Sequence, residues 1–461
     1  MKAFTIAETL HRLVKQAIDS GIAANVEEAE ALFRGYRLCF SIEAAEACHP
    51  NHQAALLTGI ALARRVFLGG VTVVGNLDVP LRVPLPLGHT LQEAALALGA
   101  QYGQSEITDL PCVFIGGTPR VRGESFRVRA VFAGWRGGVI PAHSEFPFSE
   151  EGTMSLAPML ASALAVSEAF FHVQGRTPVA GRRSVGLSLW QPSRTHWLEG
   201  NEEAPRLQYL PSSLWLIGLG HLGQAYLWAL GLLPYPEPTG VSLVLQDVDV
   251  ITPSTESTSI LSTSSMIDVK KTRAMAEWAE RRGFKTAIIE RLFDASFTRN
   301  DNEPAIALCG LDNSLGRRAL DQVGFPFVVE AGLGRGHRDF QSIRVHTLPG
   351  SRSAAEIWKF AFEKEDLADR AAYRKMLNDG DLDRCGVTLL SGKAVGAPFV
   401  GAVAACLAIS EVLRLLHGGP LNQLIDLDLQ SPDHRTIVRQ ISDFGNLNPG
   451  YVRASTGSSF F

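Results

Sequence analysis

Residues 212–230 read SSLWLIGLGHLGQAYLWAL, and this stretch decides the fold. An apolar run typical of a buried strand ends in Gly218, Gly220 and Gly223, which are spaced as GxGxxG, and a helix-like pattern follows. In such a loop the first glycine permits a tight turn, the second lets the backbone approach a phosphate, and the third lets helix and strand pack closely. Unpaired N–H groups at the start of the helix favour an anion. The sequence therefore predicts a nucleotide site in mid-chain, with a sizeable region before it.

The composition argues against several classes of protein. The chain has 461 residues, enough for two to four domains, and is 46% hydrophobic and 20% charged, which is ordinary for a soluble globular protein. A net charge of −4 without a long basic run argues against a nucleic-acid partner. Six scattered cysteines without a CxxC pair argue against structural zinc and favour free thiols in a reducing cytoplasm. The first residues are not a secretory signal, and no uninterrupted apolar stretch reaches membrane-spanning length, so we expect no membrane partner.

Strands and helices alternate from Leu214 onward. After the strand that precedes Gly218, the pattern predicts further strands near residues 241–245, 286–289, 305–308 and 327–330, and a helix at 267–282. This order predicts an α/β fold, with a Rossmann-like, doubly wound, mostly parallel sheet and helices on both faces.

The first half of the chain is less regular. Its pattern predicts helices in residues 1–50, 54–68, 90–102 and 156–173, strands at 71–75, 112–115 and 184–190, and a strand pair within 126–140. Residues 191–211 are polar and contain three prolines, as a linker does.

A weak internal repeat relates the two halves. AP at 157–158 followed by LAVSE at 164–168 resembles AP at 397–398 followed by LAISE at 407–411, and a glycine and a strand follow each. Two unrelated apolar helices would give a similar pattern. The joint match of helix and strand favours a degenerate N-terminal half that is a second, inactive copy without the glycine loop.

We therefore expect six segments. They are an N-terminal helical segment (1–53), an inactive adenylation-like domain (54–195), a linker (196–211), the nucleotide-binding part of an active domain (212–350), a crossover and cysteine segment (351–396) and the C-terminal part of the active domain (397–461).

Acidic residues follow the predicted strands of the second half. The default reading of GxGxxG is a dinucleotide site in which an acid such as Asp247 holds the ribose hydroxyls. However, Asp247 begins the run DVDVITPSTESTS, Lys271 follows it, and Asp312 and Asn313 come after the fourth strand. No pair of residues suited to acid–base hydride chemistry accompanies them.

This order and spacing resemble the superfamily of ubiquitin-activating and molybdopterin- or thiamine-synthesis adenylyltransferases over residues 212–435. The superfamily has a glycine loop, an Asp-x-Asp after the second strand, a catalytic lysine on the next helix and an Asp-Asn after the fourth strand. The resemblance implies that ATP and Mg²⁺ bind here. It makes Asp247 the ribose ligand, Lys271 a catalytic and nucleotide-binding lysine, and Asp312 a catalytic magnesium ligand, with Asp249 and Asn313 beside the nucleotide.

The sequence departs from the superfamily at two positions. Thr255 and Thr258 stand where the family has an asparagine and an arginine, and that arginine contacts triphosphate. We still assign Thr258 to the nucleotide site. An arginine from the first half is expected to replace the lost charge, and the alternatives are Arg34, Arg37, Arg64 and Arg65.

Two of these residues have structural alternatives. Lys271 lies beside Lys270 and Arg273, as an exposed helix lysine does, and Asp312 is suited to cap the following helix.

Cys385 is a candidate nucleophile. It lies in DRCGV at 383–387, which resembles the superfamily's Cys-x-x-x-Gly-Val run after the crossover loop. In activating enzymes a cysteine in this region accepts the protein tail from AMP as a thioester. Arg384 and a following helix would favour thiolate. The alternative is a small buried residue, which is also the expectation for Cys309 and Cys406.

The resemblance implies an ATP-dependent enzyme that activates a ubiquitin-like protein at its C-terminal carboxylate and passes it to a conjugating enzyme. The short chain resembles the activating component of bacterial ubiquitin-like conjugation operons of antiviral defence. With the twin half internal, such a pseudo-dimer needs no second copy and is expected to act as a monomer. The alternatives are a sulfur-carrier adenylyltransferase for cofactor synthesis, a non-catalytic module that binds a ubiquitin-like tail and, least favoured, an NAD-dependent oxidoreductase.

Overall fold

The computed structural model describes residues 4–103, 109–117, 125–199, 204–359, 368, 370–380 and 382–455. The strands of the first half are β1 (Leu38–Ile42), β2 (Val71–Gly75), β3 (Gln101–Gly103), β4 (Cys112–Ile115), β5 (Arg127–Ala133), β6 (Arg136–Pro141) and β7 (Val185–Ser188). Its helices are α1 (Ile6–Thr9), α2 (Lys15–Asp19), α3 (Val26–Arg34), α4 (Ala44–Ala47), α5 (Pro50–Ala63), α6 (Leu91–Ala97) and α7 (Leu156–Gln174).

The second half follows the same plan. Its strands are β8 (Tyr209–Pro211), β9 (Ser213–Ile217), β10 (Ser242–Gln246), β11 (Lys285–Ile289), β12 (Ile306–Cys309), β13 (Phe327–Leu333), β14 (Ser342–Leu348), β15 (Asn422–Asp428), β16 (Thr436–Arg439) and β17 (Tyr451–Arg453). Its helices are α8 (His221–Leu232), α9 (Pro253–Glu256), α10 (Lys271–Arg281), α11 (Ser314–Arg318), α12 (Ala354–Ile357), α13 (Ala371–Asn378), α14 (Arg384–Ser391) and α15 (Pro398–Leu416), with 3-10 turns at Pro238–Gly240 and Ser264–Met266.

The two main sheets have the same strand order. The first runs β3-β2-β1-β4-β5-β6-β7, and the second runs β11-β10-β9-β12-β13-β14-β15 and continues to β16. In each sheet the first five strands in this order pair in parallel, and each later strand pairs antiparallel with the strand before it in the order. The α/β fold is confirmed, and the N-terminal half is a second copy of the same architecture. The predicted domain boundaries remain predictions.

Four apolar helices join the two halves. α7 packs on β5 and β6, and α15 packs on β13 and β14. The two helices also pack on each other, α7 packs on α5 and α8, and α15 packs on α8. Between α5 and α8 the indole Nε1 of Trp228 donates to Thr58 Oγ1 at 2.9 Å. The halves therefore share one continuous core, and the helices named in the repeat lie side by side within it.

The expectation that no stretch reaches membrane-spanning length is wrong for two helices. Leu156–Gln174 and Pro398–Leu416 are long and apolar enough by length and composition, but 89% of each window is buried inside the protein. Burial of this extent is the pattern of a core helix, and it explains the apolar composition of both.

The structure corrects several predicted elements. Residues 38–42 were expected to be helical, but they form β1, which pairs with β2 and β4 in the middle of the first sheet. This short run, LCFSI, is apolar except for Ser41 and has no alternation that would distinguish a buried strand from a helix. The helix predicted over 90–102 ends at Ala97 because Gly99 adopts a φ of +91°, and residues 101–103 form a strand. The predicted linker contains β8, which pairs with β17.

The helix predicted at 267–282 begins only at Lys271, since Asp268 adopts a φ of +69°. The predicted crossover and cysteine segment, 351–396, contains the short helices α12, α13 and α14, while residues 360–367, 369 and 381 lie outside the described residues.

Candidate functional site

The glycine loop has the geometry that its spacing predicts. Gly218 follows β9 with a φ of +85°, a conformation that favours glycine. A Cβ on Gly223 would lie 2.0 Å from the carbonyl oxygen of Gly218, so only glycine lets α8 pack this closely. A Cβ on Gly220 would meet only the Lys271 ammonium, at 4.0 Å. Gly220 therefore leaves an open approach to the start of α8.

Two aspartates and a lysine lie beside this loop. Asp247 follows β10, and its Oδ2 accepts the backbone N–H of Leu219 at 2.7 Å. Lys271 Nζ lies 2.9 Å from Asp249 Oδ2 and 3.8 Å from Asp247 Oδ2. The side chain of Lys271 is only 12% exposed, so the alternative of an ordinary solvated helix lysine is wrong. These contacts bring Asp247, Asp249 and Lys271 together beside the glycine loop, where the neighbouring strands β9 and β10 end.

Asp312 and Asn313 follow β12 at the same edge of the sheet. Asn313 Oδ1 accepts the N–H of Gly316 at 2.7 Å and so caps α11. The alternative that Asp312 provides this cap is wrong. Arg335 Nη1 donates to the carbonyl oxygen of Asp312 at 2.9 Å, which fixes the backbone at this position. The carboxylate of Asp312 is exposed and lines the cavity described next.

One cavity of about 810 Å³ contains nearly all of the predicted site residues. Its lining includes Gly218, Gly220, Asp247, Asp249, Thr258, Lys271, Asp312 and Asn313. Gly223 is absent from this lining because it packs on Gly218 instead. The basic members of the described lining are Arg12, Lys271, Arg291, Arg317, Arg335 and Lys393, against the three aspartates Asp247, Asp249 and Asp312. The excess of basic groups suits an anionic ligand.

Cys385 lies on the helix that forms one wall of this cavity. It occupies the first turn of α14, where Asp383 Oδ1 caps the helix by accepting the N–H of Gly386 at 2.7 Å. Thr388, Leu389 and Gly392 line the cavity, and they follow Cys385 by the spacing of one helix face. Cys385 is exposed, so the alternative of a small buried residue is wrong for it.

The other two cysteines considered above are core residues. Cys309 and Cys406 are both fully buried, as expected. Burial raises the pKa of the Cys309 thiol to about 12, and it raises the pKa of Cys406 as well, so neither forms thiolate at neutral pH.

The sequence is related along nearly its whole length to a curated protein. It is 43% identical over 453 residues to "Bacterial E1-like protein BilD" of Collimonas sp. (strain OK412), covering 97% of this chain and 96% of that protein. Family models for the BilD N-terminal domain and the BilD C-terminal domain match residues 37–189 and 210–419. The chain belongs to the BilD family of bacterial E1-like proteins. The two models divide the chain as the two sheets do.

Solved structures resemble this BilD-family protein only weakly. E. coli MccB with MccA-N7isoASN has a TM-score of 0.35 at 14% identity, covering 68% of this chain and 94% of that chain. E. coli tRNA N6-threonylcarbamoyladenosine dehydratase, TcdA, in complex with AMP has a TM-score of 0.28 at 16% identity, covering 45% and 86%. The family assignment rests on the sequence relative and the two domain models.

The sequence did not reveal Arg12 as a site residue of this BilD-family protein. Arg12 lines the cavity together with Thr258; its backbone N–H donates to Ser257 Oγ at 3.0 Å, and its Nη2 donates to Ser254 Oγ at 3.2 Å. Burial lowers the pKa of Arg12, the nearby Asp312 carboxylate opposes this shift, and Arg335 adds to it. Arg12 thus comes from the N-terminal segment and contacts Ser254 and Ser257 of the second half, which follow it by 242 and 245 positions.

None of the four arginines predicted for this role lines the described part of the cavity. Arg64 pairs with Glu256 at 2.5 Å, and Arg65 donates to the carbonyl oxygens of Glu256 and Ser262. Burial lowers the pKa of Arg65 to about 9. Two of the expected residues therefore hold the segment after Asp249 in place from the first half, and Arg34 pairs with Glu30 on its own helix.

His221 is a further cavity residue, at one of the positions between the glycines that the GxGxxG motif leaves unspecified. It is the first residue of α8, and a Cβ on Gly401 of α15 would lie 2.4 Å from its Nε2. Burial lowers the pKa of His221 to about 4, so the ring is neutral at pH 7. The glycine at 401 is what allows the ring to fit between the glycine loop and α15.

Proposed function

We propose that this protein uses ATP to adenylate the C-terminal carboxylate of a ubiquitin-like protein and then accepts it on Cys385 as a thioester. The observation that carries the proposal is the single cavity, in which the glycine loop, Lys271, Asp312 and Arg12 meet beside the helix of Cys385. Membership of the E1-like family supports the same chemistry.

The nucleotide would bind across the ends of the parallel strands. The open approach at Gly220 and the N-terminus of α8 suit a phosphate. Asp247 holds the loop through Leu219, and its remaining lone pairs suit a ribose hydroxyl. Asp249 lies on the same side and pairs with Lys271. These contacts support the expected roles of the two aspartates.

Asp312 is the residue that would hold Mg²⁺. Its carboxylate is exposed in the cavity, and Mg²⁺ is commonly bound through one or two carboxylates together with substrate phosphates. The described residues contain no group of three His, Cys, Asp or Glu that would form an all-protein metal cage, which fits such a shared site. Bound there, the cation would neutralise phosphate charge during the transfer.

The first step joins two anions, so the protein must supply positive charge and alignment. An oxygen of the carrier's terminal carboxylate attacks the α-phosphorus of ATP, the bond from that phosphorus to the β-bridging oxygen breaks, and pyrophosphate leaves. Lys271 and Arg12 would stabilise the charge that builds on the phosphates. Arg12 lines the cavity beside Thr258, which supports its taking the role of the missing family arginine.

The second step transfers the carrier to Cys385. The Cys385 thiol first loses its proton to solvent, and the resulting thiolate attacks the carbonyl carbon of the acyl-adenylate. The bond from that carbon to the AMP oxygen breaks, and AMP leaves. Cys385 is not among the described lining residues, but it shares a helix face with the cavity-lining Thr388 and Leu389, so a movement of α14 would bring it to the acyl-adenylate. We further propose a conjugating enzyme as the acceptor, a cytoplasmic location and a role in bacterial antiviral defence, with the fused halves acting as a monomer.

The test mixes the protein with ATP, Mg²⁺ and candidate carriers that end in Gly-Gly, including any encoded beside it. We expect ATP–pyrophosphate exchange and, on a non-reducing gel, a band shift that thiol reagents remove. Cys385→Ala should lose the shift and keep exchange, whereas Cys48→Ala, which removes another exposed cysteine, should change neither.

Each alternative gives a different result. Exchange without any thiol-sensitive band would favour the sulfur-carrier adenylyltransferase. Carrier binding without exchange would favour the non-catalytic module. A shift that persists in Cys385→Ala would show that another residue is the nucleophile.

A further inference from the structure

A buried charged cluster lies outside the cavity and takes no part in the proposed chemistry. Lys15 and Asp19 of α2 form an ion pair with 2.5 Å between Nζ and Oδ2, and the side chain of each is 1% exposed. Asp19 Oδ1 accepts the hydroxyl of Tyr373 of α13 at 2.5 Å, and Tyr373 is fully buried. We call these three residues the buried triad. Since taking two charges out of water is costly, packed apolar residues would hold the helices at least as stably.

The buried triad is in contact with the helix that carries Cys385. Lys15 Nζ lies 3.5 Å from the carbonyl oxygen of Ser391, the last residue of α14. Arg370, at the start of α13, donates to the carbonyl oxygen of Asp19 at 2.5 Å. α1 packs directly on α14, and α13 does so as well. The N-terminal segment therefore contacts both α13 and α14, the helix that carries Cys385.

The same segment carries Arg12 into the cavity. Arg12 precedes Lys15 by three residues, and the intervening Leu13 and Val14 are fully buried. On its other side Arg12 is bound to Ser254 and Ser257. Arg12 is thus held between the loop of the nucleotide site and the buried triad, with no flexible spacer on either side.

We propose that the buried triad is a positioning device that fixes Arg12 in the nucleotide cavity and sets the cysteine helix relative to it. The proposal rests on the proposed function and deepens it, because it names residues through which the adenylation site and the thioester site are held in register. Tyr373 is a positioning residue that acts through Asp19 and Lys15. A shift of about 1 Å in a charged group that stabilises the transition state can cost about 100-fold in rate.

The main variant is Tyr373→Phe, which removes one hydroxyl and keeps the ring and the ion pair. We expect kcat for pyrophosphate exchange to fall by about 10-fold at a nearly unchanged KM for the carrier, since Arg12 acts on the reacting phosphates. Lys15→Met combined with Asp19→Leu should have the same effect while the melting temperature is maintained. The control is Glu30→Gln, which breaks the exposed pair with Arg34 on α3 and should change neither constant.

A double-mutant cycle with Arg12→Ala separates positioning from simple stability. If Tyr373 acts through Arg12, then Tyr373→Phe should lower exchange by less than about 2-fold in the Arg12→Ala background. Tyr373→Phe should still slow thioester formation from preformed acyl-adenylate in that background, because this step depends on the position of α14 and not on Arg12. If Tyr373→Phe lowers pyrophosphate exchange by the same factor in the Arg12→Ala background as in wild type, the two residues act independently and the proposal is overturned.

Amide hydrogen exchange supplies a readout that needs no activity. Tyr373→Phe should raise the rate of amide hydrogen exchange in residues 384–391 and 9–14 and leave the rate in α10 unchanged. Unchanged protection of α14 would overturn the positioning role even if the wild-type protein forms adenylate. Absence of pyrophosphate exchange in the wild type, with α14 deprotected in the variant, would instead count against the proposed function alone.

Discussion

The two halves of the molecule share a sheet order but differ at equivalent strand ends. In the second half β9 leads into the glycine loop, where Gly220 faces open space and the Lys271 ammonium. In the first half β1 leads into Glu43 and α4. There a Cβ on Gly116, after β4, would lie 2.5 Å from Glu46 Cγ and 2.8 Å from His52 Nε2. The same scaffold becomes a site only where the loops leave room, and the twin fills that room with its own side chains.

The largest difference between the halves should appear when a charged residue of each strand end is neutralised. Lys271→Ala and Asp312→Ala should each lower pyrophosphate exchange by about 1,000-fold, because Lys271 would stabilise charge on the phosphates directly and Asp312 would hold the cation that does so. Glu43→Gln, the matched change in the twin, should alter exchange by less than about 2-fold, since Glu43 is not among the described residues that line the nucleotide cavity. Exchange rates at saturating ATP measure all three.

Two outcomes would break this comparison. If Lys271→Ala retains more than a tenth of wild-type exchange, the lysine is a structural partner of Asp249 and not a catalytic group. If Glu43→Gln lowers exchange as much as Lys271→Ala does, the twin is not inactive.

The glycine loop and its acidic partners could be predicted from sequence because each lies next to the strand that positions it. Gly218, Asp247 and Asp312 each follow a parallel strand, and parallel strands end at one edge of the sheet. The spacing of these residues from their strands was therefore enough to predict that they lie together. The strand β1 was missed because its short run LCFSI shows no apolar–polar alternation and therefore fits a buried strand and a helix equally well.

Arg12 could not be predicted in the same way. Its partners Ser254 and Ser257 are more than 240 residues away, at separations of 242 and 245 positions. No periodicity or motif encodes a contact of that range. Arg64 and Arg65, which directly follow the apolar helix α5, were the more visible arginines. In the structure Arg64 pairs with the Glu256 carboxylate, and Arg65 binds the carbonyl oxygens of Glu256 and Ser262.

A smaller effect should distinguish Arg12 from the other arginines of the N-terminal segment. Arg12→Ala should lower exchange by about 100-fold, as loss of one charged donor to a developing anion does. Arg34→Ala removes a side chain that is 65% exposed and paired only on its own helix, so exchange should stay within about 2-fold of wild type. Arg12→Lys should recover part of the loss. Equal rates for Arg12→Ala and wild type would mean that the twin contributes packing but no charge.

The smallest effect concerns pH and separates the halves through His221. Burial holds the pKa of His221 at about 4, below its ordinary value of 6.5, so the unfolded chain takes up the proton first as the pH falls. The stability that the neutral ring contributes is complete above pH 6.5 and is lost as the pH falls towards 4. Between pH 7 and pH 5 the free energy of unfolding should therefore fall by about 2 kcal/mol more in wild type than in His221→Gln. Urea unfolding at both pH values measures this. The same comparison for His172 of the twin, which is exposed and whose pKa partial desolvation also lowers, should give a smaller difference. Equal pH dependence in wild type and His221→Gln would place the ring in contact with water and remove the packing role assigned to Gly401.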